Sequence, residues 1–447
     1  MSTQILIAVL LGIVLLLFLI LKLKLPAFIA LLLTSIITGL LAGMDPAGII
    51  DTIKTGMAST LGFVATVVGL GAIFGGILEQ TGGATTLASW MLRRTGERKA
   101  PLAMAITGFL VSIPVFFDVG FIILYPMIVA LHHKTGKSMI HYAVPLLAGL
   151  AVTHAFIPPT PGPLAVAEII GAPLGWIVII GVLTGIPAAY ISGILYGKYL
   201  GNRLYVSAVE MPPASTSDTK PVRINLVLPI LLLPIVLIVI STLVDTGIFT
   251  TGSEKLNKII SLLCHPFSAL LIANLLAWYI LGKNAGLSAA QLSAISTRSL
   301  YPAGVIILVT GAGGVFKQVL IDTNAGKMVA ESMQMMGMSL ILFAFLAATL
   351  IRLLQGSATV AMITGAGLVA PVLASYNVND IQLAAIVISI ASGATMASHL
   401  NDSGFWLVKE YLGLSEKDGM RTWTIASSIL GLTGFLFSII IFYLFGN

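Results

Sequence analysis

Residues 154–163 read HAFIPPTPGP, with apolar sequence on both sides. Proline lacks an amide hydrogen, fixes its own φ and steers the preceding residue away from helix, so Phe156 to Gly162 is extended or turned. Irregular backbone at membrane depth survives only where protein encloses it or where it lines a wet cavity, because lipid offers no hydrogen bonds. The segment therefore predicts a helix broken inside a protein interior, presenting a histidine, carbonyls and the amino terminus of a half-helix to a cavity.

Composition supplies the membrane in that reading. Of 447 residues, 57% are hydrophobic and 9% charged, and mean hydropathy is +1.04; a soluble chain carries about 25% charged residues. The fold class is an all-α polytopic membrane protein. Runs such as Ile5 to Leu21, Phe28 to Leu41, Ile224 to Ile240 and Ser428 to Phe445 approach or exceed the roughly 18–20 residues that cross a bilayer as helix. Their lack of alternation excludes a β-barrel. The first run has neither a basic leader nor a small-residue cleavage site and reads as a retained span. The single Cys264 rules out an internal disulfide and a cysteine metal cluster. The net charge of +6 is scattered through loops, so it speaks of topology and the lipid bilayer, and nucleic acid is no partner.

The chain also matches itself. With Val68 aligned on Thr310, Gly69, Gly71, Phe74, Leu78, Thr81 and Ala88 meet Gly311, Gly313, Phe316, Leu320, Thr323 and Ala330; FIALLL at Phe28 meets FSALLI at Phe267, and VTHAFIPP faces ASHLNDSG. Three matches in one order predict a duplication. The first repeat covers 1–202, with a hairpin over about 102–131 and a broken helix over about 140–171; the second covers 224–447, with a hairpin over about 338–373 and a broken helix over about 382–411. Between them, 203–223 is a polar Pro/Ser/Thr-rich linker. If both termini lie outside, Lys22, Lys24, Arg93, Arg94, Arg98, Lys99, Lys134, Lys137, Lys198, Arg203, Lys220, Arg223, Lys283, Arg298, Lys409, Lys417 and Arg421 fall in the cytoplasm, while Lys54, Lys255, Lys258, Lys317 and Lys327 fall outside and Arg352 lies within a hairpin. The positive-inside rule favours that arrangement, which makes the repeats inverted and the linker cytoplasmic.

Each half carries two interrupted apolar segments: SIPVFFDVGF and HAFIPPTPGP in the first, RLLQGSATVA and SHLNDSGFW in the second. Broken helices at matching positions of two repeats point to a transport site. Asp118 is a site carboxylate or a helix cap facing a hairpin loop. His154 and His399 handle substrate or protons, or are core histidines bonded to carbonyls. Asp402 partners them or caps the half-helix starting near Gly404. Ser357 and Thr359 form a hairpin tip that touches substrate, or cap the backbone there. Arg352 reads as a snorkelling or ion-paired residue, with a substrate carboxylate as the alternative. Glu168, Lys317 and Asp322 lie at span ends. No zincin helix and no Walker loop is present, so neither metal hydrolysis nor ATP hydrolysis is encoded, and the chain reads as no enzyme and needs no cofactor.

GLGAIFGGILEQTGGA, FFDVGFIILYPM, VTHAFIPPTPGP, QGSATVAMITGAG and SHLNDSGFWLVKEY resemble the gluconate permease family, proton-coupled symporters of sugar acids and related hydroxy acids within a larger ion transporter superfamily. The resemblance implies inverted-repeat homodimers of the bacterial cytoplasmic (inner) membrane, in which hairpins and broken helices move as an elevator against a fixed scaffold. It implies a small organic-acid anion and protons as partners. The expected substrate set is Thr153, His154, Pro159, Thr160, Gly162, Gly356, Ser357, Thr359, His399, Asn401, Ser403 and Gly404. The half-helix termini near Pro163 and Gly404 are expected at the carboxylate, and Asn401, Thr153, Ser357 and Thr359 at the hydroxyls. Proton coupling is expected of Asp118, His154 and Asp402. The family pattern often has histidine at the position of Thr160, proline at that of Ser403 and glutamate at that of Asp118, and the first of these departures bears on which acid is carried. Sodium coupling, a membrane hydrolase and a channel are the competing readings; idonate, fructuronate, D-serine and 3-hydroxybutyrate are the competing substrates.

Overall fold

A computed structural model describes residues 2–208, 222–249, 251–335 and 337–446. Most of the expected linker, residues 209–221, lies outside the described residues. The described part is helical throughout. The first half runs α1 (Ser2–Leu21), α2 (Ala27–Leu41), α3 (Pro46–Gln80), α4 (Gly83–Thr95), α5 (Ala100–Val111), α6 (Phe117–Thr135), α7 (Ile140–Phe156), α8 (Pro161–Ile170), α9 (Leu174–Ala189) and α10 (Tyr196–Gly201). The second runs α11 (Ile224–Asp245), α12 (Glu254–Cys264), α13 (Pro266–Leu276), α14 (Ala289–Asp322), α15 (Ala325–Met335), α16 (Leu340–Gln355), α17 (Ala358–Leu373), α18 (Asp380–Thr395), α19 (Ser403–Tyr411), α20 (Glu416–Gly419) and α21 (Ile425–Leu444). Seven helices or broken helices among the described residues are long and apolar enough to cross a membrane, and the α12–α13 pair, bent by 58°, makes an eighth.

The longest helices, α3 and α14, have 35 and 34 residues, or roughly 50 Å at the helical rise. Asp45 starts α3 by accepting from the amides of Ala47 and Gly48, with Pro46 at the first helical position; a Ser288–Gln291 capping box starts α14. Both end alike. Thr81 Oγ1 donates to Ile77 O at 2.8 Å and Thr323 Oγ1 to Val319 O at 2.7 Å, and the chain then turns through a left-handed residue, Gly82 in one and Asn324 in the other. The two helices pack against each other along their length.

After each long helix the chain forms a helical hairpin, α5–α6 and α16–α17. Helices of 12 residues (α5) and 16 residues (α16, α17) span about 18–24 Å, short of the ~30 Å hydrocarbon core, whereas α6, with 19 residues, is among the helices of spanning length. Each hairpin packs on the broken helix that follows it, α5 on α7 and α16 on α18, while α8 crosses into the other half to pack on α17. Close approach of α5 and α7 rests on glycine: a Cβ on Gly149 would strike the Ala105 carbonyl, and one on Gly108 the Leu146 carbonyl.

The break between α7 and α8 is enclosed. In the apolar stretch of Ile140–Ile170, 94% of the most hydrophobic window is buried, so protein rather than lipid meets the interrupted backbone. There, Thr160 Oγ1 bonds the Ile157 carbonyl at 2.5 Å and the Leu164 amide reaches Thr160 O at 3.2 Å.

Candidate functional site

The two hairpin tips and the break between α18 and α19 converge on one cavity of about 570 Å³, a size typical of small-molecule sites. The α5–α6 tip brings Phe116, Phe117, Asp118 and Val119; α7 brings His154; the α16–α17 tip brings Arg352, Gln355, Gly356, Ser357 and Thr359. Thr395, Ser398, Asn401, Asp402, Ser403 and Gly404 come from around the α18–α19 break. Thus Asp118, His154, Gly356, Ser357, Thr359, Asn401, Asp402, Ser403 and Gly404, drawn from both halves of the chain, share one wall.

Other candidates lie elsewhere. Thr153 is buried and donates to the Phe109 carbonyl at 2.8 Å. Pro159 and Thr160 border a gap of about 10 Å³ next to Val68, Gly71 and Pro114. Gly162 faces the end of the Met362 side chain. His399 Nδ1 pairs with its neighbour Ala397 O at 2.8 Å and is not on the cavity wall. The reason is packing: α3 presents glycines to this region, where Gly71 approaches the Pro159 carbonyl and Gly75 leaves no room for a side chain against the Pro114 carbonyl. The proline-rich loop is therefore pressed onto α3, and only His154 and Ala155, at its start, reach the cavity.

Charge divides the wall into a tied and a free part. Arg352 Nη2 donates to Asp402 Oδ2, as does Ser398 Oγ, and the Gly404 amide donates to Asp402 Oδ1 at 3.1 Å. Asp402 thus caps α19 and holds an ion pair at once, and Arg352 is paired rather than snorkelling. The Arg352 and Asp402 side chains are only 5% and 13% exposed, so the pair sits where water cannot weaken it. Asp118 differs. It begins α6 without acting as its cap, is exposed, lines the cavity and has no hydrogen bond or ion pair among the described residues. His154 lies beside Phe116, with ring centroids 6.3 Å apart, and its Nδ1 is buried without a partner.

The remaining polar groups face the cavity from the second tip. Ser357 caps α17, accepting from the Val360 amide at 3.4 Å, while its own amide bonds Gln355 Oε1 at 2.9 Å. The Asn401 side-chain amide donates to Leu353 O at 2.9 Å, leaving its carbonyl oxygen available. Gln355, Thr395 and Trp423 join the wall without having been singled out in the sequence. Gln355 stands directly before GSAT and could have been found there; Trp423, stacked on Phe117 at 5.4 Å, comes from a segment with no local signal. Among the described residues no group of three or more His, Cys, Asp or Glu is arranged to hold a metal ion.

A second cavity of about 670 Å³ adjoins the first, sharing Phe116, Val119 and Pro302. Its outer wall carries Glu79 and Gln80 at the end of α3, Gly286 before α14, and Gln291 and Arg298 within α14.

A family model described as GntP family permease matches residues 4–444. The chain belongs to the GntP permease family. It is accordingly a multi-pass transporter of the bacterial inner membrane, not an enzyme. Among the relatives of this GntP permease are the low-affinity gluconate transporter of Escherichia coli K12, 36% identical with 94% of each chain covered, and the inner membrane permease YgbN of the same organism, 38% identical over 92% of each. The gluconate permease of Bacillus subtilis is 33% identical, covering 98% of this chain and 99% of its own. The Alcanivorax borkumensis YdaH transporter, whose crystal structure was described as having an unusual topology, superposes with a TM-score of 0.67 at 15% identity, covering 94% of this permease and 99% of that chain. That likeness extends to the fold.

Proposed function

We propose that this permease carries gluconate or a closely related sugar acid into the cell together with a proton, with Asp118 as the coupling carboxylate. One observation carries the coupling: Asp118 is a cavity carboxylate without a partner among the described residues, on the same wall as an Arg352–Asp402 pair that already cancels its own charge. With Asp118 ionised, the cavity repels an anion. A proton on Asp118 removes that repulsion, so anion and proton enter together. The substrate class is supported by the names of relatives, gluconate transporters and permeases of about one-third identity over nearly the whole chain.

Ser357, Thr359, Asn401 and Ser403 supply hydroxyl and amide groups suited to a polyol chain, and His154 serves as the coupling partner across the cavity. Thr153, Pro159, Thr160, Gly162 and His399 shape the support behind it. The two halves act as inverted repeats, bounded near 202 and 224. The hairpins and broken helices move as an elevator against a dimeric scaffold, with both termini outside. In that orientation the second cavity, near Lys283 and Arg298, is the cytoplasmic vestibule, and the conformation faces inward.

The test is uptake of radiolabelled gluconate into proteoliposomes. Asp118→Asn loses accumulation driven by an inward proton gradient but retains gluconate–gluconate exchange; accumulation at the wild-type level removes Asp118 from the coupling role.

A further inference from the structure

Two half-helix amino termini are the conventional receptors for an anion in such a fold, and neither is free here. The α19 terminus is filled by the protein's own carboxylate, with Asp402 Oδ1 on the Gly404 amide at 3.1 Å. The α8 terminus has Pro161 and Pro163 in its first turn, is completely enclosed and lies off the cavity wall. At the α17 terminus the Ser357 and Val360 amides are bonded to the Gln355 and Ser357 side chains, which leaves the Ala358 and Thr359 amides and no full charge there. The α6 terminus opens on the cavity but carries Asp118.

The full positive charge on this wall belongs to Arg352. It is 4% exposed and forms part of the cavity wall. A guanidinium offers five N–H donors along two fork edges that share Nη2, one completed by Nε and the other by Nη1. Asp402 engages Arg352 through a single oxygen at Nη2, and among the described residues both Nε and Nη1 are buried without a hydrogen-bond partner. A buried unmatched donor is costly, so the site has capacity for a second planar acceptor.

We propose that Arg352 is the carboxylate receptor of the transported acid: Asp402, itself fixed by Ser398, holds one side of the guanidinium, and the substrate carboxylate takes the open fork edge. This rests on the sugar-acid reading above and deepens it to carboxylic acids whose charged group is read by one arginine. Both free nitrogens are covered by neighbours in this conformation, so the carboxylate reaches them as the surrounding side chains give way. The geometry also gives Arg352 a reason to be in the membrane interior that an ion pair alone does not, because Asp402 uses only one of its donors.

The experiment measures binding of radiolabelled gluconate to purified wild-type and variant permease, competed by unlabelled gluconate and by neutral gluconamide. Wild type prefers gluconate by about 100-fold. Arg352→Gln with Asp402→Asn removes both charges together; it loses gluconate affinity by about 100-fold, and its preference over gluconamide collapses to a few-fold. Arg352→Lys keeps the charge and loses the fork, and raises KM about tenfold or more with kcat less affected. If the double variant elutes as a single species and still prefers gluconate as wild type does, or if Arg352→Lys transports with an unchanged KM, the receptor is elsewhere. If the double variant does not fold, the lysine variant decides. Should wild type bind neither gluconate nor any other sugar acid in competition, the sugar-acid reading itself falls, and this inference with it.

Discussion

Arg352 and Asp402 are 50 residues apart in sequence and form a buried ion pair that joins the tip of one hairpin to the break in the next helix. The exposed Lys258–Glu254 pair, with side chains 75% and 84% exposed, contributes only about 0–1 kcal/mol. Breaking a buried pair by removing one partner costs about 3–5 kcal/mol, because a charge is left uncompensated. Arg352→Gln and Asp402→Asn should each lower the melting temperature in detergent, and the double variant should recover much of the loss. Additive losses in the double variant would mean that the two side chains act independently.

Asp118 should tolerate a change of length better than a change of charge. Asp118→Glu keeps a titratable carboxylate at the start of α6 and should retain gradient-driven accumulation within about tenfold of wild type. Asp118→Asn should show only exchange. Equal accumulation by the two variants would contradict the coupling role.

Gly356 has φ +89, and a Cβ there would meet the Asn401 backbone carbonyl. Gly356→Ala combines left-handed strain with a steric conflict and should cost about 1–3 kcal/mol. The displaced tip should also cut initial uptake rates, measured at saturating substrate, because Ser357 and Thr359 move with it. An alanine variant with normal stability and rate would show that the tip is not held where the structure has it.

Much of this arrangement was legible in the sequence. Apolar runs gave α1, α2, α11 and α21 within a few residues, since span length is set by the bilayer. The matched segments fall on the ends of two long helices that finish in the same threonine-to-carbonyl bond at Thr81 and Thr323. What sequence could not supply was pairing across distance. Nothing near Arg352 announces Asp402, and nothing near Trp423 announces Phe117. The prolines of HAFIPPTPGP did predict a break, but not which way it faces; that depends on Gly71 and Gly75 of α3, which let the loop and the first hairpin tip lie against the helix.

Sidedness can be read with thiols. In a Cys264→Ser background, Gln291→Cys, on the wall of the second cavity, should react with a membrane-impermeant maleimide only from the cytoplasmic side. Lys255→Cys, exposed on α12, should react only from outside. The reverse pattern would invert the topology and move the vestibule to the external face.

The most direct test of the central claim is the initial rate of radiolabelled gluconate uptake into wild-type proteoliposomes, with an inward proton gradient imposed and then collapsed by a protonophore in sodium-free buffer. Proton-coupled sugar-acid transport predicts accumulation above equilibrium that disappears with the gradient. Accumulation that ignores the proton gradient, or appears only when sodium is added, would contradict it.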